Sequence, residues 1–371
     1  IIEFSTLETG MSPYAWKSLR YEPGSQQAVV AKALADTDIA EQIASGNVVV
    51  VAGRANLAES AEATVAALQT VLDGCPGATV LPALRRGNVV GALSVGLAPA
   101  DADHDGLATL RAAAEGRLEL LVLLGADPLN DCPDADLARR AIAGARRVLA
   151  IDTFPSESTQ HADVVLAASA YGEKAGTTTN LEGRVTTLAQ QVTATGTSRP
   201  DWMIAVELGL MIGAHSFGAD HPLRGVSTVD DVTALVAATV PGFAAVTLDA
   251  LRDEPNGVLS APHQAALGEV SFSAPGRNSY DYRLVVSRKL YDRAVGTQMS
   301  RSLINLAPGS AVHVHPLDLD SLGVSDGDDV KIVSAKAASV LPIAANNRVP
   351  RGVVWSPFNQ GGGTIEDIVD G

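Results

Sequence analysis

Short apolar runs alternate with longer segments of mixed polarity through the first half of the chain. Five such runs occur, at residues 48–52, 79–82, 118–124, 148–152 and 163–166. Runs of this kind are typical of strands that are buried on both faces. In the segments between them, such as residues 58–72, apolar residues recur three or four positions apart, which indicates helices. This alternation predicts right-handed βαβ units, and hence a doubly wound, mostly parallel α/β sheet over residues 46–215.

The pattern changes in the last part of the chain. Four short β-type runs occur there, at residues 283–286, 311–315, 329–333 and 352–355. Turn residues such as Gly, Asp and Asn separate them, so we expect a small β-barrel-like domain over residues 283–371. Two segments complete the predicted organisation. Residues 1–45 form a partly irregular N-terminal segment, and residues 216–282 form a linker with one short helix.

Composition narrows the classes of partner. The net charge of −15 and the pI of about 4.8 make the surface acidic, so we do not expect nucleic acid as a partner. The two cysteines, Cys75 and Cys132, exclude a disulfide framework and cannot supply the full ligand set of a standard iron–sulfur cluster. No apolar run reaches the roughly 20 residues of a membrane span, so we expect no direct span.

A few residues occupy positions where ligands commonly bind. Gly53, Gly125 and Asp152 lie at the carboxyl ends of predicted strands, the usual ligand edge of an open α/β sheet. None of them belongs to a Gly-x-Gly-x-x-Gly fingerprint, so this pattern gives dinucleotide binding little support. His313 and His315 alternate along one predicted strand. A partly exposed strand is favoured over a two-histidine metal site, because no clear further ligand lies nearby.

A polar loop at residues 171–184, dense in hydroxyl groups and charges, follows the predicted strand at residues 163–166. Its hydroxyls, amide and charges can form many hydrogen bonds with a ligand that has fused polar rings. The loop can equally bind itself, if Glu173, Lys174, Glu182 and Arg184 pair with one another. The residue types alone leave both interpretations open.

The same loop carries a resemblance to a known family. The strand at residues 162–166 and the loop at 171–184 resemble the signature of the molybdopterin oxidoreductase family, and in particular its branch in the respiratory NADH:quinone oxidoreductase, complex I. Stretches at residues 81–99 and 123–159 match in order and spacing. The β-rich tail is similar to the family's C-terminal pterin dinucleotide domain. The chain departs from the pattern at Ala167, where the family usually has proline.

This resemblance implies a scaffold for electron transfer from NADH to quinone, in a complex that couples the transfer to proton pumping. Its partners would be the other complex I subunits of the hydrophilic arm, peripheral to the membrane on its cytoplasmic side. The resemblance also implies a fragment without catalytic residues, bound metal or cofactor. The [2Fe–2S] and [4Fe–4S] clusters would lie on an N-terminal part that is absent from this sequence. Candidate residues of a vestigial pterin loop are Thr179, Asn180, Glu182 and Arg184.

Two other functions remain open from the sequence. The first is a domain of an active molybdopterin enzyme of the formate dehydrogenase type, which bound molybdenum would distinguish. The second is a free-standing α/β protein that binds a small molecule and has no partner subunits. No Gly-x-Ser-x-Gly motif occurs, so an α/β-hydrolase is not supported.

Overall fold

The computed structural model describes the 371-residue chain except residues 55, 100, 262–269, 275, 277–280, 363–364 and 370–371. The chain forms two compact units, and each is assembled from separate segments. The first unit comprises Ile1–Ala83, Asn130–Asp136 and Ala266–Gly371, and the second comprises Leu84–Leu129 and Leu137–Ala265. These units are not contiguous along the chain, so the linear boundaries at residues 45, 215 and 282 stay a prediction.

The strands of the described residues are β1 (Ile2–Ser5), β2 (Lys17–Arg20), β3 (Val49–Ala52), β4 (Thr79–Pro82), β5 (Leu121–Leu124), β6 (Val148–Asp152), β7 (Val164–Ala167), β8 (Gly176–Thr179), β9 (Arg184–Leu188), β10 (Val258–Leu259), β11 (Arg283–Ser287), β12 (Val312–Val314), β13 (Asp329–Val333), β14 (Ala338–Ala345) and β15 (Val353–Pro357).

The α-helices are α1 (Gln26–Leu34), α2 (Thr37–Ala44), α3 (Ala61–Gly74), α4 (Val89–Ser94), α5 (Gly106–Ala114), α6 (Pro128–Asp131), α7 (Ala135–Gly144), α8 (Asp201–Phe217), α9 (Val229–Thr239), α10 (Leu248–Asp253), α11 (Val295–Gln298) and α12 (Pro316–Leu322).

Strands β5, β6 and β7 form a parallel sheet in the second unit. Helices α5 and α7 cover one face, where Leu121 and Leu123 pack against small residues of both helices. The two helices approach closely at Gly144, where an added Cβ would lie 2.4 Å from the carbonyl oxygen of Ala113. Helix α8 packs on the other face through Ile204, against Ile151. Helices on both faces of a parallel sheet confirm the predicted fold class.

The parallel strands do not join into one sheet. Strands β3 and β4 form a separate parallel pair in the first unit. Burial of both faces was the wrong prediction for β3, where Val49 is 63% and Val51 is 66% exposed. It was also wrong for β5 and β7, where Leu124 is 49% and Val165 is 50% exposed. An apolar run indicates that a strand can be buried, but the run itself does not supply the elements that would cover it.

A second, antiparallel sheet in the second unit contains β8, β9 and β10 in the order β10-β9-β8. Val185 of β9 packs with Phe243, Val246 and Leu251, which come from the segment around α9 and α10. The predicted helix in this region agrees with α9. The hairpin of β8 and β9 was missed because its strands are rich in threonine and lack a continuous apolar run.

The C-terminal part of the first unit contains a mixed sheet in the order β11-β15-β12-β14-β13. Strand β11 pairs with β15 in parallel, and β13 pairs with β14 in antiparallel. Its core is aliphatic apart from Phe358, and it includes Val286, Val312, Leu341, Ile343 and Ile365. Asn56 joins this sheet to an earlier segment. Its amide accepts a hydrogen bond from the nitrogen of Val286 (2.9 Å) and donates one to the oxygen of Leu284 (3.1 Å).

Two local differences have clear physical causes. The helical pattern that begins at Gln26 breaks into α1 and α2, because Asp36 adopts an extended backbone and caps the nitrogen of Ile39. Residues 88–97 include two glycines, a composition that is typical of a loop, yet they contain α4. That short helix packs on Thr179 at Gly91, where an added Cβ would lie 2.8 Å from the threonine hydroxyl.

Among the helices of the described residues, none has the length and apolar character that crossing a membrane requires.

Candidate functional site

The carboxyl edge of the β5–β7 sheet has an open backbone position. Gly125 follows β5 with a backbone in the left-handed region (φ +56°), and an added Cβ there would meet nothing within 4 Å. The loop that follows is held by Asp127, whose buried carboxylate accepts hydrogen bonds from the nitrogen (3.1 Å) and hydroxyl (2.5 Å) of Ser158. That hydroxyl accepts a hydrogen bond from the nitrogen of Leu129 (3.1 Å). The edge therefore combines a fixed loop with space for a ligand.

Asp152 lies at the same edge, at the end of β6. Its carboxylate accepts a hydrogen bond from the nitrogen of Thr153 (2.7 Å). Burial raises the pKa of Asp152, and the negative charges of Asp127 and Asp201 raise it further, against the hydrogen bonds from the backbone. Asp152 therefore keeps a proton to higher pH than an ordinary aspartate does.

Two buried polar atoms lie where β7 gives way to α8. Ser169 follows β7 and is fully buried, and its backbone nitrogen donates to the oxygen of Arg199 (2.8 Å). Its hydroxyl, and the indole nitrogen of Trp202 in the first turn of α8, have no hydrogen-bond partner in the described part of the chain. An unsatisfied buried polar atom costs stability, so such atoms often indicate a missing ligand or water molecule.

The four predicted pterin-loop residues come together at the turn between β8 and β9. The Asn180 carboxamide oxygen accepts hydrogen bonds from the nitrogens of Glu182 (2.9 Å) and Arg184 (3.0 Å). The Arg184 guanidinium donates to the carboxylate of Glu182 (3.0 Å), which lowers the pKa of that carboxyl. Thr179 is buried, and its nitrogen donates to the side chain of Asn88 (2.8 Å). These contacts build the turn, and the role of the four residues towards a ligand stays a prediction.

The charged residues of this loop pair with one another only in part, although the sequence allowed all four to do so. Glu182 pairs with Arg184, but Lys174 pairs with Asp201 at the start of α8. The Glu173 carboxylate instead accepts a hydrogen bond from the nitrogen of Ala170 (2.8 Å), which closes a turn on itself. The loop is thus fastened both to itself and to α8.

A buried polar cluster follows β15 in the first unit. Asn359 adopts a left-handed backbone (φ +53°), and its side-chain nitrogen has no partner among the described residues. Its backbone nitrogen donates to the buried carboxylate of Glu366 (2.5 Å), whose pKa is raised by burial. Gln360 beside it accepts a hydrogen bond from the nitrogen of Gly309 (3.2 Å) and donates one to the oxygen of Tyr291 (3.2 Å).

The sequence pattern did not predict this cluster. Asparagine tolerates the left-handed region better than most residues, so the string from Asn359 to Gly362 could have predicted a turn. Nothing in the string, however, distinguishes a buried side chain from an exposed one.

The two histidines have separate local roles. His313 packs against Trp355 with the ring centres 4.6 Å apart, and burial lowers its pKa. His315 caps α12, where its ring nitrogen accepts a hydrogen bond from the nitrogen of Leu317 (3.2 Å). No group of three or more His, Cys, Asp or Glu residues in the described ranges is arranged to hold a metal ion.

Both parts of the chain match known family profiles. Residues 12–210 match the molybdopterin oxidoreductase family, which is more than half of the chain, and residues 282–370 match the molybdopterin dinucleotide binding domain. The chain therefore belongs to the molybdopterin oxidoreductase family. The fold agrees with this assignment, since acetylene hydratase from Pelobacter acetylenicus has a TM-score of 0.54 at 15% identity, over 67% of this chain and 38% of that one.

Similar proteins come from several branches of the family. The NADPH-Fe(3+) oxidoreductase subunit alpha of Geobacter sulfurreducens is 28% identical over 73% of this chain and 31% of its own length. An NADH-quinone oxidoreductase subunit of Rhizobium meliloti is 28% identical over 70% and 30%. The F420-dependent formate dehydrogenase 1 subunit alpha of Methanococcus maripaludis is 23% identical over 77% and 48%. The chain thus spans between about a third and a half of these relatives.

The expectation that this fragment holds no cofactor is wrong. Both profiles describe domains of molybdopterin proteins, and the second describes the dinucleotide-binding domain itself, which points to a molybdenum–pterin cofactor in this region. The expectation came from the resemblance to the complex I branch, together with the departure at Ala167 and the lack of an evident metal ligand. A pterin can be held by backbone and polar side-chain groups alone, so neither observation bears on whether it binds.

The polar groups of the chain fit such a cofactor. A pterin dinucleotide carries ring nitrogens, carbonyl groups and phosphates, which need hydrogen-bond partners. The second unit offers the unpartnered donors of Ser169 and Trp202, with open space at Gly125. The first unit offers the unpartnered amide of Asn359.

Proposed function

We propose that this chain is the pterin-binding part of an electron-transfer subunit in a NAD(P)H-linked oxidoreductase of the NADH:quinone type. The observation that carries the proposal is the set of unpartnered buried donors, found in segments that match the molybdopterin oxidoreductase and molybdopterin dinucleotide binding profiles. Two of the relatives are named as subunits of NADPH and NADH oxidoreductases, and they support NADH or NADPH as the electron donor.

Candidate contacts to the pterin group are assigned for each unit separately. In the second unit, Ser169 and Trp202 would donate hydrogen bonds, and the backbone at Gly125 would leave room for a phosphate. Thr179, Asn180, Glu182 and Arg184 remain proposed contacts there, and Arg184→Gln is expected to lower the pterin content. In the first unit, Asn359 would donate its amide.

The bound group would supply a redox centre, while the protein would supply binding and orientation. Burial around Ser169 and Asn359 would exclude water from the polar edges of the ring system. Near the open edge, Asp152 would keep its proton to higher pH than an ordinary aspartate does, since burial raises its pKa. No residue of the chain is assigned as a catalytic residue.

A pair of asparagine variants tests this assignment in the full-length protein. Asn359→Gly removes the amide but keeps the left-handed backbone that glycine tolerates. Asn256→Gly removes the same amide from an exposed turn and serves as the control. We expect Asn359→Gly to lose most of its pterin, measured by the fluorescence of the oxidised pterin, with the control unchanged. Equal pterin in both variants would contradict the role of Asn359.

The proposal includes partner subunits and a peripheral position on the cytoplasmic side of the cell membrane. It is supported by relatives that are named as subunits of larger oxidoreductases. In native gels of mildly solubilised membranes, the protein is expected to migrate with NADH-dependent dye reduction. Migration as a lone polypeptide, away from that activity, would refute this part of the proposal.

A formate dehydrogenase is the second candidate. It is favoured by the formate dehydrogenase subunit of Methanococcus maripaludis, which aligns over 77% of this chain and 48% of its own length. The electron donor separates the two functions. Dye reduction with NADH or NADPH supports the first candidate, and reduction with formate alone supports the second.

A further inference from the structure

A cavity of about 600 Å³ opens on the first unit, beside the loop that leads from β14 into β15. Three arginines line it, Arg20, Arg348 and Arg351. The lining also includes Glu8, His315 and Pro350. A volume of this size is typical of sites for small organic ligands. None of the residues assigned above to the pterin group lines it.

The cavity has a preformed polar wall. Glu3 accepts hydrogen bonds from Ser12 (2.8 Å), Ser18 (2.5 Å) and Arg20 (3.2 Å), and these three residues line the cavity. The charge of Arg20 is therefore balanced by Glu3. This network fixes the wall without leaving Arg20 as a strong anion ligand.

Two other arginines keep unused donors. Arg351 donates through Nε to the buried carboxylate of Asp318 (3.0 Å), while its two terminal nitrogens form no hydrogen bond with the described residues. The Arg348 guanidinium forms no hydrogen bond or ion pair with the described part of the chain. Guanidinium groups bind phosphate through pairs of parallel hydrogen bonds, so the side of the cavity that carries Arg348 and Arg351 is suited to a phosphate group.

A smaller cavity of about 130 Å³ adjoins the first, since Glu8, Arg348 and Val349 line both. Trp355 forms part of its lining and is fixed by a hydrogen bond from its indole nitrogen to the hydroxyl of Ser287 (2.7 Å). Lys289 lies over the indole ring, 4.4 Å from its centre. The smaller cavity thus extends the site with an apolar surface and one more cation.

We propose that this double cavity binds a phosphorylated sugar of the kind present in nucleotides, with the phosphate on Arg348 and Arg351. Phosphate alone would fill only a small part of about 600 Å³, so the ligand carries an organic group. Glu8 is the acidic side chain at the junction of the two cavities, where it can accept hydrogen bonds from sugar hydroxyls.

Calorimetric titration of the full-length protein with ribose 5-phosphate, adenosine monophosphate and inorganic phosphate tests this site. We expect the two sugar phosphates to bind more tightly than inorganic phosphate. Arg348→Gln should lower the affinity for ribose 5-phosphate at least about tenfold, because the charged guanidinium contact to the phosphate is lost. The control Arg117→Gln changes an exposed arginine that pairs with Glu115, two residues away, and should bind as the wild type does. Asn359→Gly should also leave this affinity unchanged.

Three results would overturn the proposal. The first is no binding of either sugar phosphate, and the second is equal affinity for ribose 5-phosphate and inorganic phosphate. The third is loss of sugar-phosphate binding in Asn359→Gly, which would assign the cavity to the pterin site. Because Arg348 has a free guanidinium in the described structure, its variant is expected to fold normally, as the melting temperature will verify.

Discussion

At the residue scale, several turns depend on single side chains or on their absence. Gly257 has a left-handed backbone (φ +86°), and an added Cβ would lie 2.5 Å from the carbonyl oxygen of Val185. Gly225 has nearly the same backbone (φ +88°), but nothing lies within 4 Å of an added Cβ. The two glycines therefore separate the conformational cost of a side chain from its steric cost.

Gly225→Ala is expected to lower the free energy of unfolding by about 1–2 kcal/mol, the cost of a left-handed backbone with a Cβ. Gly257→Ala should cost more, because the carbonyl of Val185 or the turn must also move. Denaturant unfolding of both variants measures the difference. Equal losses would show that the close approach at Gly257 is absent.

A second residue-scale prediction concerns Glu3. Burial opposes its ionisation, but hydrogen bonds from Ser18, Thr9, Ser12 and Arg20 lower its pKa from 4.5 to about 2. A lowered pKa adds stability above pH 4.5, and this stability is lost as the pH falls towards 2. Glu3→Gln should therefore destabilise the protein by about 1–2 kcal/mol at pH 7. The difference from the wild type should shrink steadily below pH 4.5.

The exposed Glu8→Gln variant is the control for Glu3→Gln, and its unfolding free energy should change by less than about 0.5 kcal/mol. Thermal melts between pH 7 and pH 3 compare the three proteins. A loss in Glu3→Gln that does not depend on pH would mean that the ionised carboxylate is not the source of the stability.

At the element scale, the β5 strand shows what an apolar run does and does not predict. The run at residues 118–124 predicted the strand, because a local pattern is enough to predict one, and in the structure this strand pairs with β6 in parallel. The coverage of its faces depends on distant helices. Leu123 points into the core with α5 and α7 and is 5% exposed, whereas Leu124 is 49% exposed on the other face.

Neighbouring leucines therefore give a matched prediction. Leu123→Ala should lower the free energy of unfolding by about 2–5 kcal/mol, since it leaves a cavity in the core. Leu124→Ala should cost less than about 1 kcal/mol, because its side chain is already half in water. Urea unfolding measures both. Similar losses would mean that Leu124 is covered in the protein in solution.

The polar loop at residues 171–184 shows that residues can be predicted to lie together while their role is not. Its residues were predicted from sequence, and the structure does bring Asn180, Glu182 and Arg184 into contact. Their spacing fits a hairpin turn as well as a ligand loop, so the sequence could not decide between the two. The buried donors of Ser169, Trp202 and Asn359 were not predicted, because their burial arises from packing between segments that are far apart in the chain.

At the scale of the whole molecule, the family and fold class followed from motif order and strand–helix alternation. The expected absence of a cofactor, in contrast, was wrong. That absence was inferred from the resemblance to the complex I branch and from the lack of an evident metal ligand, whereas pterin binding depends on many weak polar contacts that leave no compact motif. Sequence patterns do not predict the subunit type either. Relatives with different electron donors in their names belong to one family and have similar identity to this chain.

The most direct test is the pterin and metal content of the purified full-length protein. Fluorescence of the oxidised pterin and elemental analysis for molybdenum and tungsten give both quantities from one sample. We predict stoichiometric pterin together with molybdenum or tungsten. Protein that is folded, carries iron and yet contains neither pterin nor either metal would contradict the claim that this region binds the cofactor.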